Sequence, residues 1–101
     1  MRIGLFAANV VGRRVARFLG DHGETPACLV LDSNDPESLR SDIVAGSGLN
    51  DGNLIFESSS LSSEQTREGL RTLDLDLIVL AWWPYILKPE VIGIPRLGIT
   101  P

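Results

Sequence analysis

Two short stretches of this sequence carry residues that could do chemistry. The first is Ala7-Ala8-Asn9-Val10-Val11-Gly12. A dinucleotide-binding turn has glycines where Ala7, Asn9 and Gly12 stand here. Its backbone must turn tightly and approach a pyrophosphate at a helix N-terminus. Only Gly12 meets that demand. Asn9 tolerates a left-handed backbone, but its side chain takes space that a phosphate would need. Asp32 follows twenty residues after Gly12, where an acidic side chain could hold a ribose hydroxyl. A plainer reading stands beside this one: Gly12 allows close helix–strand packing, and Asp32 opens a polar loop.

The second stretch is Ala81-Trp82-Trp83-Pro84-Tyr85-Ile86-Leu87-Lys88-Pro89. Both tryptophans and the single tyrosine fall within four residues. Pro84 and Pro89 stiffen the segment. A rigid aromatic loop at a strand end can wall a pocket for a flat ring, and its backbone groups can pair with a heterocycle's polar edge. The alternative is that Trp82, Trp83, Ile86 and Leu87 pack against the sheet or another domain. A core-packed Trp82 would be worth about 3–5 kcal/mol on truncation.

Other chemistry has little support. Cys28 is the single cysteine and lies in an apolar run, so no internal disulfide forms. It reads as a small buried hydrophobe. One thiol and one histidine, His22, do not make a structural metal site. The net charge of −4 argues against a broad nucleic-acid interface, although Arg13, Arg14 and Arg17 cluster. No apolar run approaches the ~18 residues that span a bilayer. No signal peptide is evident, and a reducing, cytoplasmic location is expected.

The elements that must position these residues follow from periodicity. Arg2–Ala8, Ala27–Leu31 and Asp76–Ala81 are apolar runs suited to buried strands. Asn53–Glu57 and Arg96–Thr100 are weaker strands. A helix is expected over Val10–Leu19, capped by Asn9 and stopped by Gly20 or Gly23, with Val11, Val15, Phe18 and Leu19 on its apolar face. A second is expected over Pro36–Val44 with Asp35 as cap, followed by a loop over Ala45–Asn53. A third starts near Ser62 or Ser63 and runs to about Leu73. Pro89–Ile92 forms one helical turn. Strands alternating with helices predict a parallel sheet of about five strands with helices on both faces. The 101 residues make one domain.

Leu75–Gly98 resembles a stretch typical of 10-formyltetrahydrofolate-dependent formyltransferases. There a "PDLIV" strand leads into a loop ending "IL", then "PKEVL" and "IPRLG". The counterparts are Leu75-Asp76-Leu77-Ile78-Val79, Ile86-Leu87, Lys88-Pro89-Glu90-Val91-Ile92 and Ile94-Pro95-Arg96-Leu97-Gly98. The wording WWPYIL is similar to the sugar N-formyltransferase and methionyl-tRNA formyltransferase-like branch. The resemblance implies a truncated Rossmann-like domain of the N-terminal formyltransferase type. It also implies 10-formyltetrahydrofolate as cosubstrate, with no metal. Tyr85, Ile86 and Leu87 would contact the pteridine largely through their backbone, with Trp83 and Pro84 shaping the wall.

In that family the chemistry lies further on, in an Asn-x-His-Pro-Ser motif and a later Asp. Aligned without gaps, the Asn position falls on Pro101. The 101 residues alone are therefore expected to be inactive. The partners implied are a folate and an acceptor amine of the nucleotide-sugar or aminoacyl-tRNA class, without a membrane. An uncovered sheet surface would favour a homo-oligomer. Two rivals remain at this stage. One is a nucleotide- or NAD-binding domain using Asn9, Gly12 and Asp32. The other is a non-enzymatic interaction domain.

Overall fold

The computed structural model describes residues 1–101. Five strands form one parallel sheet: β1 (Ile3–Ala7), β2 (Cys28–Leu31), β3 (Ile55–Glu57), β4 (Leu77–Ala81) and β5 (Ile99–Thr100). Their order across the sheet is β3-β2-β1-β4-β5. The register pairs Gly4 with Cys28 and Ile78, and carries Ala7 beside both Leu31 and Ala81. Four helices complete the fold: α1 (Asn9–Asp21), α2 (Glu37–Ser47), α3 (Glu64–Arg71) and α4 (Pro89–Ile92).

Both faces of the sheet are covered, as the strand–helix alternation predicts. Successive strand residues point to opposite faces. Leu5, Ala7, Leu29 and Leu31 pack with Ala16 of α1 and Ile43 of α2. Phe6, Cys28, Val30 and Ile78 pack on the other face with Leu70 of α3 and Val91 of α4. Cys28 is fully buried, and burial pushes its thiol pKa up to about 12, which leaves it inert.

Several boundaries depart from the sequence reading. Helix α1 runs through Gly20, and the left-handed Gly23 (φ 70°) lies just beyond its end. Its buried residues are Gly12 and Ala16, while Phe18 is 60% exposed and Val11 also faces solvent. Small residues stand at the closest approach of the helix to the sheet, and Val15 and Leu19 pack against the core beside them. A Cβ on Gly12 would stand 2.9 Å from the Ala7 carbonyl carbon. Helix α2 extends through Ala45–Ser47, expected to be loop, and ends at the left-handed Gly48 (φ 79°). Neither Asp35 nor Ser63 caps a helix through its side chain: Pro36 and Ser63 hold the N-cap positions, and neither makes a side-chain cap bond. The last strand is only two residues long, because Arg96 and Leu97 donate their N–H groups to Leu75 and Asp76 carbonyls before pairing with β4 begins. No helix is long and apolar enough to cross a membrane.

Candidate functional site

β1 and β4 are neighbours, yet the chain leaves them toward opposite edges of the sheet. β1 leads to β2 and β3, and β4 leads to β5. The crevice beyond the C-terminal ends of such a pair is where open α/β sheets collect ligands. Both stretches singled out by residue type end there. The Ala8 N–H donates to the Ala81 carbonyl at 3.1 Å, tying the two strand ends together.

Each strand is followed by a left-handed residue other than glycine: Asn9 (φ 62°) after β1, and Trp82 (φ 58°) after β4. Asp74 is the one other non-glycine residue with positive φ. Such a conformation stores roughly 1–3 kcal/mol, and strained residues concentrate at functional sites. For a bulky residue such as tryptophan it is unusual. In a continued strand, Trp82 would share the face of Ile78 and Leu80. Instead Trp83 packs on that face, with its ring edge-on to Phe6 at 5.2 Å. The left-handed turn at Trp82 has reversed the alternation and left that indole 64% exposed.

Trp82 is therefore no core residue, and its truncation lacks the loss a buried indole would bring. Trp82→Gly is expected to change unfolding free energy by no more than about 1 kcal/mol. Relief of the left-handed strain offsets the added flexibility of the unfolded chain. Urea unfolding measures this, and a loss near 3 kcal/mol would refute it.

The first stretch takes a shape unlike a phosphate cradle. The Asn9 side-chain oxygen accepts from the Val10 N–H at 2.6 Å, and the Asn9 N–H donates to the Asp35 carboxylate at 2.9 Å. The start of α1 thus already faces an amide oxygen and an acidic group of its own chain. An approaching pyrophosphate would meet the Asp35 charge. Gly12 has a packing reason in its contact with Ala7.

Asp32 is only 7% exposed, and its carboxylate is engaged. Oδ1 accepts from the Tyr85 hydroxyl at 2.5 Å and from the Asn34 N–H at 2.9 Å. The Tyr85 oxygen in turn accepts from the Asn34 side-chain amide at 2.7 Å. The bond to Asp32, helped by lost solvation, raises the phenol's pKa above its ordinary value. The two stretches are thus joined, with Tyr85 of one held by Asp32 of the other. The resemblance implied that Tyr85 acts mainly through its backbone; the structure gives its side chain a specific bond as well.

Beneath the loop lies a cavity of about 180 Å³. Tyr85, Ile86 and Leu87 line it, opposite Ser58, Leu61, Ser62 and Arg67, with Lys88, Glu90 and Val91 at the α4 side. Ile86 is 95% exposed, whereas Leu87 packs into the core under α4. Trp83 and Pro84 are not among the lining residues. Trp83 stands behind the wall between Phe6 and Tyr85, with its ring N–H buried and unpartnered. Sequence reasoning missed Ser58, Leu61, Ser62 and Arg67. They belong to the β3–α3 connection and the start of α3, where a polar run gave no sign of facing a loop some twenty-five residues later. His22 is far from any of this, stacked on Phe18 at the end of α1. No group of three or more metal-ligating side chains gathers in the structure.

Comparison with solved structures finds a similar fold in two formyltransferases. The chain is similar to phosphoribosylglycinamide formyltransferase from Streptococcus pneumoniae TIGR4, with a TM-score of 0.64 and 18% identity over 98% of its length. It is also similar to glycinamide ribonucleotide transformylase 1 from Symbiobacterium toebii, with a TM-score of 0.60 and 16% identity over 99% of its length. It spans about half of each of those proteins, 54% and 50% respectively. No protein-family model matches the sequence. No curated protein matches it either. The shared architecture is the five-stranded parallel sheet with helices on both faces.

Proposed function

We propose that these 101 residues are the folate-holding half of a formyltransferase, which passes a formyl group from 10-formyltetrahydrofolate to an amine. The observation that carries the reading is the segment Trp82–Leu87. It lies at the switch point of a formyltransferase fold, and none of its residues makes a backbone–backbone hydrogen bond. Its N–H and C=O groups are free to pair with the polar edge of a heterocycle. The cavity beside it supports the same reading. Leu61, Leu87 and Val91 give an apolar floor, and Lys88 brings positive charge to a ligand that ends in carboxylates, while Arg67 is already paired with Glu64.

Formyl transfer needs an amine to attack the formyl carbon, donors for the oxyanion and groups that move protons. Within these residues the folate would be bound and oriented by the loop, and no Asn-x-His pair is present to serve the oxyanion. The acceptor is an amine. The WWPYIL wording favours a nucleotide sugar or an aminoacyl-tRNA, while the structural neighbours are named for glycinamide ribonucleotide. A reducing, cytoplasmic setting suits the single buried thiol. Self-association would cover the apolar depression of Val11, Val15, Val79, Trp82 and Pro101 on the α1 side.

Calorimetric titration of the 101-residue chain with a folate and with NAD tests the reading. Weak folate binding and no NAD binding are expected, because the chain spans only about half the length of the formyltransferases it is similar to. Incubation with 10-formyltetrahydrofolate and an amine is expected to give no formyl product. NAD binding that is lost in Asp32→Ala, without folate binding, would overturn the proposal in favour of a nucleotide-binding domain. Turnover by the chain alone would overturn the assignment of catalysis elsewhere.

A further inference from the structure

The segment between β4 and α4 has few restraints. From Trp82 to Leu87 there is no backbone–backbone hydrogen bond. The hydroxyl of Tyr85 makes the two side-chain hydrogen bonds of this segment, one to Asp32 and one from Asn34. What else holds the segment is apolar: Trp83 against Phe6 and Tyr85, and Leu87 in the core below α4. Apolar contact is non-directional and constrains the path of a loop less sharply than a hydrogen bond does. A hydrogen bond to a nearly buried acceptor is directional.

The anchoring end is itself well held. Asp32 follows β2 directly and is nearly buried, and its Oδ1 also accepts from the Asn34 N–H. The adjacent Ser33 is bonded into Ser58 and Ser59 after β3. The ends of β2 and β3 therefore form one polar platform, and Tyr85 reaches it across the mouth of the cavity. In dinucleotide-binding sheets an acidic residue at the place of Asp32 holds a ribose hydroxyl. Here a phenol of the same chain takes that acceptor.

We propose that Tyr85 is a positioning residue: its hydroxyl, donated to Asp32, latches the Trp82–Leu87 segment to the β2–β3 platform and shapes the cavity wall before a ligand arrives. The inference deepens the folate reading and rests on it for the identity of the ligand. The latch itself is a property of the free protein, so its test needs no ligand.

The test is backbone ¹⁵N relaxation on the 101-residue chain, with the near-ultraviolet circular dichroism of its aromatic residues. In the wild type, order parameters at residues 82–87 are expected near the rigid value of about 0.85. In Tyr85→Phe they are expected to fall below about 0.6 in this segment while β1 and β4 stay rigid. The near-ultraviolet signal of Trp83 should weaken with them. Asp32→Asn retains an acceptor oxygen and is expected to keep the segment ordered. Unchanged order in Tyr85→Phe would overturn the proposal. So would a fall spread evenly over the chain, or a segment already mobile in the wild type. A chain that shows Tyr85-dependent order but binds no folate rejects the ligand assignment alone.

Discussion

Phe6→Ala is expected to destabilise the protein by about 3–5 kcal/mol, as large aromatic truncations in well-packed cores do. Phe6 is fully buried on the central strand. It touches β2 and β4 through its register partners Val30 and Leu80, and its ring supports Trp83. No neighbour can move in to fill the space without breaking the parallel ladder on both sides. A domain of this size has roughly 5–15 kcal/mol of total stability, so the loss is a large fraction of it. Each kcal/mol should lower the melting temperature by roughly 4–8 °C. Phe6→Leu keeps more of the volume and should lose less.

The same substitution reaches the candidate site, which makes it more than a core test. With Phe6 gone, Trp83 has lost the surface that fixes its ring, although Tyr85 remains bonded to Asp32. The tryptophan emission of Phe6→Ala, measured under conditions where the variant is still folded, should shift toward that of a solvated indole. Trp82 is already exposed and supplies a constant background. Chemical unfolding checks the stability arm. A variant within 1 kcal/mol of wild type would show that the Phe6 site can collapse, contrary to its place between two paired strands.

Much of this architecture was legible because strands buried on both faces must be continuous apolar runs. IGLFA, CLVL and LIVLA could not be anything exposed, and their alternation with amphipathic segments forces parallel pairing. The short strand β3 and the two-residue β5 carry weaker runs, and their edges were misplaced for that reason. The face of α1 was legible in part: Val15 and Leu19 pack on the core as their spacing suggests, but Val11 and Phe18 stand exposed, because hydrophobic size alone is a poor guide to burial. Its closest approaches are made at Gly12, Ala16 and Gly20, one every four residues, a stripe visible in the sequence once close approach is considered.

The site was legible in composition and not in geometry. Two tryptophans, a tyrosine and two prolines after the strongest strand marked the loop. Nothing local could show that Trp82 turns outward and Trp83 inward, since the two are identical neighbours and a single left-handed φ decides between them. Nor could sequence pair Tyr85 with Asp32 across fifty-three residues. That contact exists because the sheet order brings the ends of β2 and β4 to either side of β1. It follows from topology, which is settled only when every strand has found its place.

Gly20→Ala and Gly69→Ala are expected to change stability in opposite directions. Both glycines lie in helices, and alanine is intrinsically favoured over glycine there by about 1 kcal/mol in a helix interior. At Gly69 of α3 the new methyl would meet only the Phe56 ring, 3.6 Å away, which is ordinary contact. The propensity gain should survive, and Gly69→Ala should be the more stable protein. At Gly20 the methyl carbon would lie 2.0 Å from the Gly46 carbonyl oxygen of α2. That atom is backbone in the last turn of α2, so no rotamer change relieves the clash. The two helices must separate by more than an ångström, and Ile43 and Ala16, buried between them and the sheet, would lose contact. Overpacking of this kind typically removes about 1–3 kcal/mol and occasionally more, and Gly20, near the end of α1, draws little from helix propensity to offset it. Urea midpoints for the two variants decide the matter: the Gly20→Ala midpoint should fall and the Gly69→Ala midpoint should rise. A Gly20→Ala protein as stable as wild type would mean that α1 and α2 do not cross as closely as the structure has them.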